Sequence, residues 1–246
     1  MADKWRMFPA TMGDDQAFIS FNDSFAERAK RDARHHHLRV EVAIKDPTEA
    51  GMPRGDEINA LSKLDDALEA AVARLGGIYV GRITVAGRRF FYFYVDAREA
   101  DARSALVRAA TPFGYAPQVK WADDPEKQRY WQDLYPTADD WRVINDMEVL
   151  DALANAGDDP DISRTVQHWA YFASDAAAAA FREWLGSQAF TFRSAEKDKQ
   201  GRVRVTFTHE GVMHLADVTN RTIRCRRKAE ELGGEYDGWE TSVEEG

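Results

Sequence analysis

The spacing of apolar positions switches repeatedly between two periods. Residues 38–44 read Leu-Arg-Val-Glu-Val-Ala-Ile, a period-two pattern that predicts a strand. After a loop through Pro47 and Pro53, Ile58, Leu61, Leu64, Leu68, Val72 and Leu75 recur at spacings of three and four, the stripe of one helix that Gly76-Gly77 then stops. Residues 78–85 and 88–95 predict two strands joined at Ala86-Gly87, a hairpin with glycine in its turn. Residues 98–110 read as helical and 116–121 as a closing strand, so the order is β-α-β-β-α-β. Residues 5–9 and 17–21 add an earlier pair of strands.

The same order returns near the C-terminus. Residues 165–172 predict a strand, Ser174 caps a helix over 175–185, and 190–195 with 202–208 form a hairpin across the charged turn 196–201. A second helix over 212–232 is closed by Gly233-Gly234, and 235–243 is the last strand. Between the two repeats lies a polar, helical stretch with Pro125, Pro136 and Gly157-Asp158-Asp159-Pro160 as breakers. The fold class expected is therefore α+β: two tandem ferredoxin-like domains joined by a helical linker. The ranges are 1–122 for the first domain, with its extra strands, 123–158 for the linker and 159–246 for the second.

Composition narrows the function classes. With 246 residues, 44% of them hydrophobic, the chain can bury a core in each domain. No run approaches the roughly 20 apolar residues of a membrane span, and Met1-Ala2-Asp3-Lys4-Trp5 lacks the apolar centre of a signal peptide, so a cytoplasmic protein without membrane contact is expected. Cys225 is the one cysteine, which excludes an intrachain disulfide and a cysteine zinc cage. The net charge of −9 argues against coating DNA, so any anion-binding surface must be local.

One such surface is visible on the last helix. At about 100° per residue, Leu215, Val218, Cys225, Ala229 and Leu232 gather on one side, and Arg221, Arg224, Arg227 and Lys228 roughly opposite. This is either a solvated face or a docking face for RNA phosphate or an acidic protein patch. Near the end stands Gly233-Gly234-Glu235-Tyr236-Asp237-Gly238-Trp239-Glu240-Thr241. Asp237-Gly238 bends or bulges the strand and sets two large rings beside the bend, either as packing or as an exposed recognition edge.

That segment resembles the RraB family, regulators of ribonuclease E activity, whose domain ends in a Tyr-Asp-Gly-Trp strand. The resemblance extends to Asp161-Ile162-Ser163-Arg164-Thr165-Val166-Gln167-His168-Trp169-Ala170-Tyr171-Phe172 and the alanine-rich helix after it, so it covers roughly 159–243. It implies a ferredoxin-like, non-catalytic domain that binds and restrains an RNA-degrading endonuclease. Enteric members carry a long acidic tail, where this sequence has Glu244-Glu245-Gly246. The first part, through 80–89, the aromatic run 90–94 and Asp140-Trp141-Arg142 to Asn145, is similar to a bacterial domain family of unknown function found upstream of RraB-like domains.

The remaining chemistry is sparse. His35-His36-His37 is expected in a polar loop, since adjacent residues do not converge on one metal. His168, from the strand that bears Val166, Ala170 and Phe172 on the same face, is expected hydrogen-bonded and partly buried. The paired acids, from Asp14-Asp15 to Asp158-Asp159, suit helix caps better than acid–base catalysis. No nucleophile elbow or phosphate loop is present. In the aromatic run, alternation puts Phe91 and Phe93 on one face and Phe90, Tyr92 and Tyr94 on the other, the second being open for base stacking or covered by the N-terminal strands and the partner domain. The expectation is a non-catalytic binding protein without cofactor or metal. Its binding residues are Tyr236, Asp237, Gly238, Trp239, His168, Trp169, Arg221, Arg224, Arg227 and Lys228, and its partner is a protein, ribonuclease E or another ribonuclease. The alternative is an RNA-binding module using the basic face, and an enzyme of unknown type is third.

Overall fold

The structure, a computed structural model, describes residues 3–246. Met1 and Ala2 of the N-terminal segment lie outside the described residues. The chain divides into two units, Met1–Thr137 and Ala138–Gly246.

The first unit opens with a hairpin of β1 (Trp5–Met12) and β2 (Asp15–Asn22), then the short α1 (Asp23–Ala26). There follow β3 (His36–Ala43), α2 (Asp56–Ala73), β4 (Ile78–Val85), β5 (Arg88–Val95), α3 (Glu99–Ala110) and β6 (Gln118–Asp123). A single π-helical turn, Tyr130–Leu134, ends the unit. The sheet runs β1-β2-β4-β5-β3-β6, and its neighbours pair antiparallel. Taken alone, β6-β3-β5-β4 is the 4-1-3-2 order of a ferredoxin-like domain, with the N-terminal hairpin added at the β4 edge. Ala86 and Gly87 both take positive φ, at 49° and 71°, as a two-residue hairpin turn matched to the strand twist requires.

One face of this sheet buries Leu38, Val40, Val42, Phe91 and Phe93 against Leu61, Leu64, Leu68 and Val72 of α2 and Leu106 of α3. Ile58 was placed on that stripe but is 52% exposed, because it sits in the first turn of α2, beyond the sheet's cover. The other face is not open. Tyr92 and Tyr94 are buried, with Phe25 of α1 stacked on Tyr94 at 5.7 Å and Tyr130 edge-on to Phe25 at 5.0 Å. The Tyr94 hydroxyl donates to Asp124 Oδ2 at 2.7 Å. The cover is the unit's own α1 and the segment 124–135, so the aromatic strand does not present Tyr92 and Tyr94 for base stacking. His36 and His37, expected in a loop, belong to β3, and His37 is buried on this covered face beside Tyr92 and Tyr94.

The second unit contains α4 (Ala138–Asn155), β7 (Arg164–Phe172), α5 (Asp175–Gly186), β8 (Thr191–Lys197), β9 (Val203–Gly211), α6 (Leu215–Glu231) and β10 (Gly234–Glu240). Its sheet order is β10-β7-β9-β8, again 4-1-3-2 and antiparallel throughout. Ser174 caps α5, its hydroxyl accepting from the Ala177 N–H at 3.2 Å. The core joins Ala170, Phe172, Val205 and Phe207 of the sheet to Phe181 and Leu185 of α5 and Cys225 and Ala229 of α6. Helix α6 starts at Leu215 and not at 212, since Met213 N–H bonds the Pro160 carbonyl and holds that approach extended. The stretch 123–158, expected as a linker, is divided: its π-helical turn packs in the first unit, and α4 packs on α6 in the second. No helix is long and apolar enough to cross a membrane among the described residues.

Candidate functional site

Tyr236 and Trp239 lie three positions apart, so on a regular strand they would face opposite sides of the sheet. The register of β10 against β7 breaks between them: Tyr236 pairs with Ala170, Gly238 with Trp169 and Trp239 with His168. Asp237 is the extra residue of a β-bulge. The insertion resets the alternation, and both rings turn to the helix side, where Tyr236 is 7% and Trp239 6% exposed. Gly238 carries φ +151°, which a side chain rarely adopts, so the glycine is what lets the bulge close.

The two buried rings hold two polar networks. Tyr236 Oη lies 2.7 Å from His168 Nδ1, and His168 Nε2 lies 2.8 Å from His209 Nδ1 of β9. His168 is stacked on Phe207 at a centroid distance of 5.0 Å. Burial, with the neighbouring His209 and Arg142, holds His168 well below the usual histidine range, and burial lowers His209 to about 4. Both rings are therefore neutral near pH 7, and each has one N–H, so the chain Tyr236–His168–His209 runs with all its donors in one direction. Burial also raises the Tyr236 hydroxyl, which stays protonated.

The second network centres on Asp146 of α4, which is fully buried. Trp239 Nε1 donates to Asp146 Oδ1 at 2.8 Å, Arg142 Nε to the same oxygen at 3.0 Å, and Thr222 Oγ1 of α6 to Oδ2 at 2.5 Å. The Arg142 guanidinium also lies over the Tyr236 ring at 5.6 Å. Burial raises the Asp146 carboxyl, and the Arg142 charge with the Thr222 and Trp239 bonds opposes it. Loss of any one donor leaves a buried charge under-compensated, which is costly. Sequence patterning missed Asp146 and gave Arg142 only as part of the resemblance to the upstream family, because residues 123–158 read as a linker. The signal that could have found them is the i, i+4 spacing of an arginine and an aspartate on a helix otherwise bearing Ile144, Val149 and Leu153.

The candidate residues thus separate. Tyr236, Trp239 and His168 are interior. Asp237 is exposed on the bulge, and Trp169, half-buried, pairs beside it with Gly238 on the opposite, helix-free face of the sheet. The basic helix face is partly neutralised. Arg227 and Arg226 both pair with Asp139 of α4, and Lys228 pairs with Glu231 at 2.7 Å. Arg221 is half-buried, and Arg224 is exposed. His214 does not join the histidine pair: it lies 2.8 Å from Asp161. Cys225 is buried, and burial pushes its thiol far up, which leaves it inert as a nucleophile. No group of three or more His, Cys, Asp or Glu side chains is placed to hold a metal ion among the described residues.

Fold and geometry together define a tandem ferredoxin-like α+β protein whose C-terminal signature anchors a helix inside the second unit and leaves one bulge outside. The chain belongs to DUF695, a family of unknown function whose model matches residues 3–135, and residues 144–241 match the model of RraB, described as regulator of ribonuclease activity B. The RraB match falls within the second unit and spans its sheet and helices. No curated protein matches the chain. A crystal structure described as a "putative glycine cleavage system transcriptional repressor" is matched at 8% identity and a TM-score of 0.23, over 84% of this chain and 98% of that one.

Proposed function

We propose that this is a non-catalytic cytoplasmic regulator whose second unit binds an RNA-degrading ribonuclease, ribonuclease E or another, and modulates it by protein–protein contact. The observation that carries the reading is the RraB match over residues 144–241. The geometry supports a particular surface for the contact. The bulge exposes Asp237 next to Trp169, on a final strand that forms the sheet edge, and an edge strand offers backbone groups for pairing with a partner. The buried members, Tyr236, His168 and Trp239, act in this reading by holding the bulge rigid.

Capture of the full chain from a bacterial cytoplasm, with and without ribonuclease A treatment, tests the proposal. Co-purification of a ribonuclease that survives RNA removal, and that Asp237→Lys abolishes, is the expected result. Recovery only through RNA would replace protein contact with RNA bridging.

A further inference from the structure

The cover over the second face of the first sheet stops short of its β6 edge, and a cleft of about 280 Å³ remains there. Its side chains come from three places: His37 and Arg39 of β3, Lys120 of β6, and Arg129 with Asp133 of the 124–135 segment. Three cations stand against one carboxylate, a local balance of +2 on a chain whose total is −9.

Arg39 and Lys120 are directly opposite in the β3–β6 register, an arrangement of like charges that costs stability. What each finds within the protein is incomplete. Arg39 lies over the Phe90 ring at 5.2 Å and also interacts with the Tyr92 hydroxyl and the Asp133 carboxylate that it shares with Arg129, Arg129 reaches Asp133 only at 3.9 Å, and Lys120 has no ion-pair partner among the described residues. His37, at the floor, is 4% exposed, and its Nε2 has no hydrogen-bond partner. Its neutral ring offers one more polar group without adding charge.

We propose that this cleft binds a small phosphate-bearing ligand. A phosphate dianion matches the local charge, and its several oxygens accept from separate cationic donors, the strongest class of hydrogen bond. The volume is at the low end of small-molecule sites, and the cleft is concave, which suits a compact ligand better than a nucleic-acid strand. Facing cations on an acidic protein also concentrate anions at this one place. The inference concerns the first unit and is independent of the ribonuclease reading.

The test is a titration of the isotope-labelled full chain with inorganic phosphate and, separately, with 5′-AMP, read by amide chemical shifts at constant ionic strength set with chloride. Saturable shifts at Arg39, Lys120 and Arg129 are expected, together with a melting temperature that rises with ligand. Tighter binding of 5′-AMP would mark an organic phosphate as the occupant, and equal binding would mark free phosphate; either supports the site. Lys120→Glu, which places a carboxylate opposite Arg39 and so keeps the fold, is expected to weaken binding roughly tenfold or more. Shifts that chloride alone reproduces, or binding that Lys120→Glu leaves unchanged, would overturn the proposal. So would stronger shifts at the same amides with a short single-stranded RNA than with either probe.

Discussion

Replacing Trp239 by alanine and by phenylalanine separates the two things this ring does. The ring is 6% exposed and packs with Val166, Met213, Val218 and Leu153, while its Nε1 donates to the fully buried Asp146. Trp239→Ala removes both packing and donor. Truncating a buried tryptophan costs about 3–5 kcal/mol, and the upper end is expected here because the buried Asp146 carboxylate also loses a donor. Trp239→Phe keeps most of the packing and deletes the N–H. A hydrogen bond to a charged group contributes about 1.5–3 kcal/mol, so a loss of about 2 kcal/mol is expected. Against a typical total of about 5–15 kcal/mol, the alanine variant leaves the second unit marginal. The assay is urea unfolding followed by hydrogen exchange of β7 and β9 peptides, which reports the second unit by itself. In the Trp239→Phe background, Asp146→Asn is expected to cost less than it does alone, since the two residues share one bond. A Trp239→Ala loss below about 1 kcal/mol, or equal losses for both variants, would refute the anchoring role.

Three further outcomes follow from the same geometry. Gly238→Ala forces a side chain into φ +151° and is expected to cost about 1–3 kcal/mol, seen as lost exchange protection of β10 and α4; an unchanged second unit would mean the bulge tolerates a Cβ. His37 and His209 have folded pKa values lowered from 6.5 to about 4, so the unfolded chain takes up protons first: stability is full above about pH 6.5 and falls as the pH drops toward 4. For His37 the shift corresponds to at most about 3 kcal/mol, and in the second unit the raised Asp146 carboxyl offsets part of the loss, so unfolding midpoints that are flat between pH 7 and 4 would contradict the neutral-histidine assignment. Changing Arg221, Arg224, Arg227 and Lys228 together to glutamine is expected to shift unfolding only modestly, because the Arg227 and Lys228 pairs are surface pairs; a loss above about 2 kcal/mol would show that Asp139 depends on them.

Strand and helix order was legible because each element carries its own period. The hairpin at Ala86-Gly87 and the cap at Ser174 were readable from single residues whose conformational preferences are strong. What escaped were features that depend on long-range partners. The segment 124–135 looks polar in sequence, yet Tyr130 and Leu134 close a sheet face whose strands lie far away along the chain. Helix α4 has a weak apolar stripe because its attachment to α6 and β10 is partly polar, through Thr222 and Trp239 donating to Asp146 and through Arg226 and Arg227 paired with Asp139. In the signature itself, the aromatic and glycine spacing announced a bulge. Which ring faces inward was not readable, since that depends on where the register breaks against β7.

Regulation of a ribonuclease through the exposed bulge, as proposed, can be read in one rate measurement. Purified ribonuclease E cleaving a short labelled RNA is titrated with the full chain, in parallel with Asp237→Lys, an exposed substitution expected to leave the fold intact. A saturable fall in cleavage rate with the native chain, independent of RNA concentration, and a much weaker effect with the variant are expected. An unchanged rate at saturating chain would contradict ribonuclease E as the target, and an equal fall with both proteins would contradict the bulge as the contact.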